Sequence, residues 1–181
     1  MQDPGCYVFA ERLRGGTVVT LRAARTDDGP KIRRAFRNLE RETVYTRFFG
    51  YKDDVSDAEL ARIIGADFER AVALLVTIGT GADEVVVGGA SYVVVDPAAT
   101  ERSAELAFTV EEDFQGRGIA SLLMRHIIAI ARSKGLAQLE ADVLSRNLPM
   151  LSVFRHCGLP MTVRQEGDVI HAILSLPKAA P

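Results

Sequence analysis

Only two cysteines occur in 181 residues, Cys6 and Cys157. Neither belongs to a Cys-x-x-Cys pair or stands beside a histidine cluster of zinc spacing, so no metal site is expected and a reducing, cytoplasmic setting follows. An excess of basic charge is also missing. Twenty-two Lys and Arg face 24 Asp and Glu, for a net charge of -2 and a pI near 5.9, which gives no surface for nucleic acid. No segment approaches the roughly 20 consecutive apolar residues of a membrane span, so no membrane partner is expected. The opening MQDPGCYVFA carries acid and proline where a signal peptide needs a basic start. Internal repeats and low-complexity tracts are absent.

What the sequence does contain fits one domain with a full-sized core: 48% of residues are hydrophobic and 25% charged. Residues 1–16 read as an irregular N-terminal arm ending in Gly15 and Gly16, and residues 17–177 as the domain. TVVTLRAA (17–24) has the β-branched content of a strand. Thr26, Asp27 and Asp28 then offer caps for a helix over GPKIRRAFRNLE, whose Ile32, Phe36 and Leu39 share one face. Ser56 and Glu59 form a capping box before Leu60, Ile63 and Ile64. AVALLVTIG (71–79) and EVVVGGASYVVV (84–95) read as a hairpin, and SAELAFTV (103–110) as the next strand. A helix follows with Ile119, Leu122, Leu123, Ile127 and Ile130 on one face, closed by Lys134 and Gly135. AQLEADVL (137–144) is a strand, Asn147 and Pro149 open a short helix that Gly158 ends, and VIHAILSL (169–176) is the last strand. The order describes an α/β protein with antiparallel hairpins and one right-handed strand-helix-strand crossover.

The stretch DFQGRGIASLLMRHI (113–127) carries the chemistry. A helix that begins inside a glycine turn points unpaired backbone NH groups outward, its dipole adds partial positive charge, and phosphate is the ligand those favour. Arg117 adds a full charge. An ATP loop needs a lysine after its glycines, and none is present. A dinucleotide loop needs a third glycine and leaves its strand at once, whereas Glu111-Glu112-Asp113-Phe114-Gln115 stand between strand and turn. A plain tight turn would need neither the Gln nor the Arg.

The third candidate loop is Gln/Arg-x-x-Gly-x-Gly/Ala, and Gln115-Gly116-Arg117-Gly118-Ile119-Ala120 matches it at every fixed position. With the element order from about residue 17 to 176, this loop resembles that of the GNAT N-acetyltransferases. The resemblance implies a mixed, largely antiparallel sheet of six to seven strands with about four helices. It implies acetyl-CoA as cosubstrate, with its pyrophosphate on the amides of Gln115, Gly116, Arg117, Gly118, Ile119 and Ala120 and on to Ser121 at the head of the helix. The pantetheine arm would run beside Phe108, Thr109 and Val110, where the strand splays from AQLEADVL, and would reach Asn147. The Val110 NH would then polarise the thioester carbonyl.

Amine attack needs a proton removed, and a carboxylate is the natural base. Period-two alternation puts Glu105 on one face with Ser103, Ala107 and Thr109, leaving room for a substrate, and a glutamate here also resembles the family's base. The alternative is an exposed glutamate on a solvated face. Where the family often places a tyrosine to protonate the leaving thiolate, this chain has Phe154, for which a shape role against the pantetheine is expected. Solvent, Tyr45, Tyr51 or Tyr92 remain as proton donors. Cys157 beside His156 reads as an apolar filler, His126 as a structural histidine on the core side of its helix, and His171 is unassigned. Glu111-Glu112-Asp113 is either a solvated turn or a lure for a cationic amine.

VYTRFFGYKDD (44–54) is too apolar for an ordinary interhelical loop and resembles a segment of bacterial protein lysine acetyltransferases. Phe48 and Phe49 there are either a core wedge or an acceptor contact. About sixteen residues precede the first expected strand, too few for the regulatory domain often fused to that group. The expected acceptor is an amine, a protein lysine first and a small-molecule amine second. A non-catalytic acyl-CoA-binding sensor is the rival reading. An exposed edge at VIHAILSL would give a homodimer a place to form.

Overall fold

The computed structural model describes residues 6–177. Its strands are β1 (Val8–Arg12), β2 (Val18–Ala23), β3 (Ala71–Ile78), β4 (Val85–Val94), β5 (Ser103–Val110), β6 (Gln138–Leu144), β7 (Met161–Glu166) and β8 (Val169–Ser175). They form one sheet in the order β1-β2-β3-β4-β5-β6-β8-β7. Every pair of neighbours is antiparallel except β5 and β6, whose parallel pairing requires a crossover and receives it from a long helix. The helices are α1 (Gly29–Asn38), α2 (Arg41–Phe48), α3 (Asp57–Ile64), α4 (Ile119–Ser133) and α5 (Leu148–Arg155). Among the described residues no helix is long and apolar enough to cross a membrane.

Alternation along the strands divides the helices between the two faces. Val72, Leu74 and Val76 of β3 join the main core with α4 and α5, while Leu75 points the other way and packs with Val86 and Ile32 of α1. The expected apolar stripe of α4 is buried throughout, and Leu123 and Ile127 are fully enclosed. Burying each such side chain contributes about 1.5–3 kcal/mol, and Leu123→Ala, which also leaves a cavity, would cost about 2–5 kcal/mol. The head of α4 approaches the sheet closely because β4 has a glycine there: a Cβ on Gly88 would lie 2.9 Å from Ile119 Cγ2.

A buried ionic cluster fixes the start of α1. Arg22, 1% exposed, donates to both carboxylate oxygens of Asp28 (2.6 and 2.7 Å) and to both of Glu84 (3.0 Å each). Thr77 and Lys31 also donate to Glu84. Three separate elements are thereby held by one guanidinium.

Among the described residues the sheet has eight strands where six to seven were expected, and there are five α-helices. Val8–Arg12, read from the sequence within an irregular arm, is the edge strand β1; its five residues carry two charges and little burial, so the pattern is weak. β7 escaped for the same reason, all but its first residue being exposed. Its presence overturns one expectation: VIHAILSL is no edge, because β8 lies between β6 and β7. α2 has a single buried residue, Val44, and hence no apolar stripe to announce it. It occupies part of the segment read as an apolar loop, and Phe48 packs edge-on against Phe36, with ring centroids 5.6 Å apart.

Candidate active site

β5 and β6 pair only at Ser103–Gln138, Ala104–Leu139 and Glu105–Glu140, after which they separate. The phase of the β4–β5 ladder tells which amides this leaves open. Glu111 N donates to Val87 O at 3.0 Å, so odd-numbered residues of β5 bond to β4 and the amides of Phe108 and Val110 point toward β6, which is no longer there. The gap opens into a cleft of about 930 Å³.

The glycine turn closes one end of this cleft. Gly116 and Gly118 have φ of 71° and 95°, conformations that a side chain would strain, and Gly118 caps α4 with no side-chain bond to the first turn. The leading amides of a 15-residue helix therefore face the cleft without an intrahelical partner. Gln115 does not reach into the cleft as a ligand would; its Nε2 donates to the carbonyl oxygen of Val110 at 3.1 Å and lies 3.4 Å from Thr43 Oγ1.

The structure brings the sequence-derived residues together with one exception. Phe108, Thr109, Val110 and Gln115 line the cleft, as do Gly116, Gly118, Ile119, Ala120 and Ser121. Asn147 and Phe154 line it from α5, where Asn147 Oδ1 caps the helix by accepting from Met150 N at 3.2 Å. Phe154 is buried and meets Phe108 edge-on at 6.0 Å. Arg117 is the exception: the two glycines turn its side chain outward, and the guanidinium lies over the Phe114 ring, 5.0 Å from its centroid. Another cation faces the cleft at this point. Arg14, which sequence reasoning missed, lines the cleft, donates its backbone NH to Arg117 O at 3.1 Å, and brings its side chain to the Cβ direction of Gly118 at 4.0 Å. The available signal was Leu13-Arg14-Gly15-Gly16, whose paired glycines, both at φ 89°, form the tight turn between β1 and β2.

Glu105 stands where this cleft meets a second, partly open cavity of about 360 Å³ between the sheet and α1, α2 and α3. Arg47, Phe48 and Thr109 border both spaces as well. The second cavity has apolar walls from Ile32, Phe36, Leu39 and Ile63. Glu111 contributes a buried oxygen, Oε2, that has no hydrogen-bond partner; burial first, then the neighbouring Asp113, pushes its carboxyl upward. Glu112 is occupied, accepting from Glu40 N at 3.0 Å and tying the α1–α2 link to the turn.

The other tempting residues lie away from the reacting region. Tyr92 is fully buried in the core, where desolvation raises its hydroxyl. Tyr45 and Tyr51 pack on each other at 5.0 Å beneath Arg146 and Arg41. None of the three borders either space. Cys157 packs against the core, and burial raises its thiol. His126 is the buried structural histidine expected, bonded to the Tyr7 hydroxyl at 2.7 Å. His171 sits on the sheet face beside Asp142 at 2.7 Å. Phe49 lines the cleft, while Phe48 borders both spaces.

Known proteins share this fold. The family model of the acetyltransferase (GNAT) family matches residues 34–159. An acetyltransferase of Pseudomonas aeruginosa is 27% identical over 169 residues, covering 91% of this chain and 88% of the relative. The acetyltransferase Pat of Mycolicibacterium smegmatis is 32% identical over 136 residues, 75% of this chain, which spans only 39% of Pat. The crystal structure of the GNAT domain of S. lividans PAT superposes with a TM-score of 0.86 at 29% identity, covering 97% of this chain and 100% of that one.

Proposed function

The chain belongs to the acetyltransferase (GNAT) family, and on that footing we propose that it moves an acetyl group from acetyl-CoA to a primary amine by direct attack in a ternary complex. The observation that carries this reading is the opening of the sheet immediately after Glu105, in front of a helix whose first turn has no side-chain cap.

In this mechanism the CoA diphosphate rests on the backbone amides from Gln115 to Ala120 at the head of α4, with Arg14 as the neighbouring cation. The pantetheine arm lies along Phe108, Thr109 and Val110, with Asn147 and Phe154 on its far side. The thioester oxygen accepts from the Val110 NH, which stabilises the negative charge that develops as the amine attacks. Glu105 takes the proton from the amine, directly or through one water. Collapse of the tetrahedral adduct forms the amide, breaks the C–S bond, and releases CoA as a thiolate that solvent protonates.

A second reading is an acyl-CoA-binding sensor without turnover, favoured by the absence of a tyrosine from the residues lining the cleft. One experiment separates the readings. Calorimetry with acetyl-CoA, and with NAD as the comparison ligand, is followed by free-thiol detection against a panel of amines. Acetyl-CoA binding with thiol release supports transfer, binding without release supports the sensor, and no acetyl-CoA binding removes both.

A further inference from the structure

Arg47 is a half-buried cation at the junction of the two cavities. Among the described residues its guanidinium makes no hydrogen bond and no ion pair; its contact is with the face of Phe48, 4.7 Å to the ring centroid. Two other arginines on this side of the sheet are engaged, Arg33 with Asp57 and the Val55 carbonyl and Arg37 with Asp54, while Arg62, at the border of the smaller cavity, is exposed to water. Arg47 is also close enough to Glu105 and Glu59 to feel their charge, although burial outweighs both and pulls its pKa down. A guanidinium carries five donors and cannot shed its proton, so withdrawing it from water without an acceptor is costly. Native folds tolerate such a group where a ligand completes it.

Geometry and chemistry narrow that ligand. The planar fork of arginine matches a carboxylate, which can take two parallel hydrogen bonds. Glu105, bordering the same junction, has the complementary preference for an ammonium group. Behind them lies a chamber of about 360 Å³, apolar along Ile32, Phe36, Leu39 and Ile63 and bordered also by Glu59, Arg62 and Glu111, near the small end of the roughly 300–1,000 Å³ typical of sites for small molecules. We propose that the acceptor is a small amino acid with an apolar side chain, its carboxylate held by Arg47, its amine presented to Glu105 and its side chain in the chamber. This rests on the transferase reading above. A protein lysine fits less well, because its amine is separated from any carbonyl by a long methylene chain and would leave the Arg47 donors unfilled.

The test compares acceptors that differ only in the carboxylate: leucine against 3-methylbutylamine and phenylalanine against phenethylamine, with a lysine-containing peptide alongside. Thiol release is followed at saturating acetyl-CoA with the full chain and with Arg47→Gln and Arg47→Lys. The amino acids should show KM values about tenfold or more below those of their decarboxylated partners, the size expected for a charged hydrogen bond. Arg47→Gln should erase that gap by raising the amino-acid KM alone, leaving the KM for acetyl-CoA and the melting temperature in place, and Arg47→Lys should restore part of it. The proposal is overturned if the decarboxylated amines are used equally well, if the lysine peptide is preferred, or if Arg47→Gln raises the KM for acetyl-CoA instead, which would assign Arg47 to the cosubstrate. Acetyl-CoA binding with no thiol release for any amine would strike the transferase reading itself, and this inference with it.

Discussion

The side-chain amide of Gln115 donates to the carbonyl oxygen of Val110 at 3.1 Å, joining the glycine turn to the end of the strand that precedes it. The glutamine of the loop thus acts as a strap. It satisfies the carbonyl that the departure of β6 leaves exposed and keeps the turn at a fixed distance from the Val110 amide.

Replacing Glu105 should separate binding from chemistry. Glu105→Gln keeps the shape of the junction and removes the base, so kcat should fall about a hundredfold or more while calorimetric affinity for acetyl-CoA stays within about twofold of the parent. Unchanged turnover would leave Glu105 as an ordinary exposed residue of the sheet.

Arg14 should act on the diphosphate. Because its side chain lies against Gly118 rather than at the outer rim, Arg14→Ala should weaken acetyl-CoA and dephospho-acetyl-CoA alike, by about tenfold. A loss confined to the form carrying the 3′-phosphate would move Arg14 to that group.

The buried cluster makes a prediction about acid stability. Hydrogen bonds from Arg22 hold the Glu84 carboxyl at about 2, against 4.5 for an ordinary glutamate, even though burial opposes the shift. A depressed folded-state pKa stabilises fully above the unfolded value and is lost as pH falls toward the folded one, so this contribution disappears between about pH 4.5 and 2. Glu84→Gln should be less stable at pH 7, by about 3–5 kcal/mol for breaking a buried pair, and its denaturation midpoints should vary less than the parent's across that acid window.

His126 works with the same sign from a different cause. Burial lowers its pKa below 6.5, outweighing the attraction of Glu11. The unfolded chain therefore binds the extra proton more readily, and folding stability should decline as pH drops below about 6.5. Melting temperatures taken at pH 8 and pH 5.5 should differ less in His126→Asn than in the parent.

What could be read in the sequence follows from where burial is regular. α4 was legible because its apolar residues recur on one face, and the loop because its glycines, glutamine and spacing all serve one geometry. The face on which Glu105 lies was legible through the period-two pattern of β5. Arg14 was not, since it owes its position to the exposed hairpin of β1 and β2, and although the segment holding Arg47 stood out, the place of that side chain between the two cavities did not, because its helix has Val44 as its one buried residue. The internal place of β8 was hidden likewise, because β7 is polar along most of its length and pairs through its backbone.

The separation of β5 from β6 has a consequence for how amide protons behave. Phe108 and Val110 belong to the fifth of eight strands, where slow hydrogen exchange would be assumed from position alone, yet their NH groups face a gap. They should exchange with deuterium far faster than the neighbouring amides of Ala107 and Thr109, which bond to β4. An interior strand would then show, over two residues, the exchange behaviour of a sheet's rim, and a molecule that fills the gap would register as slowed exchange at those two positions.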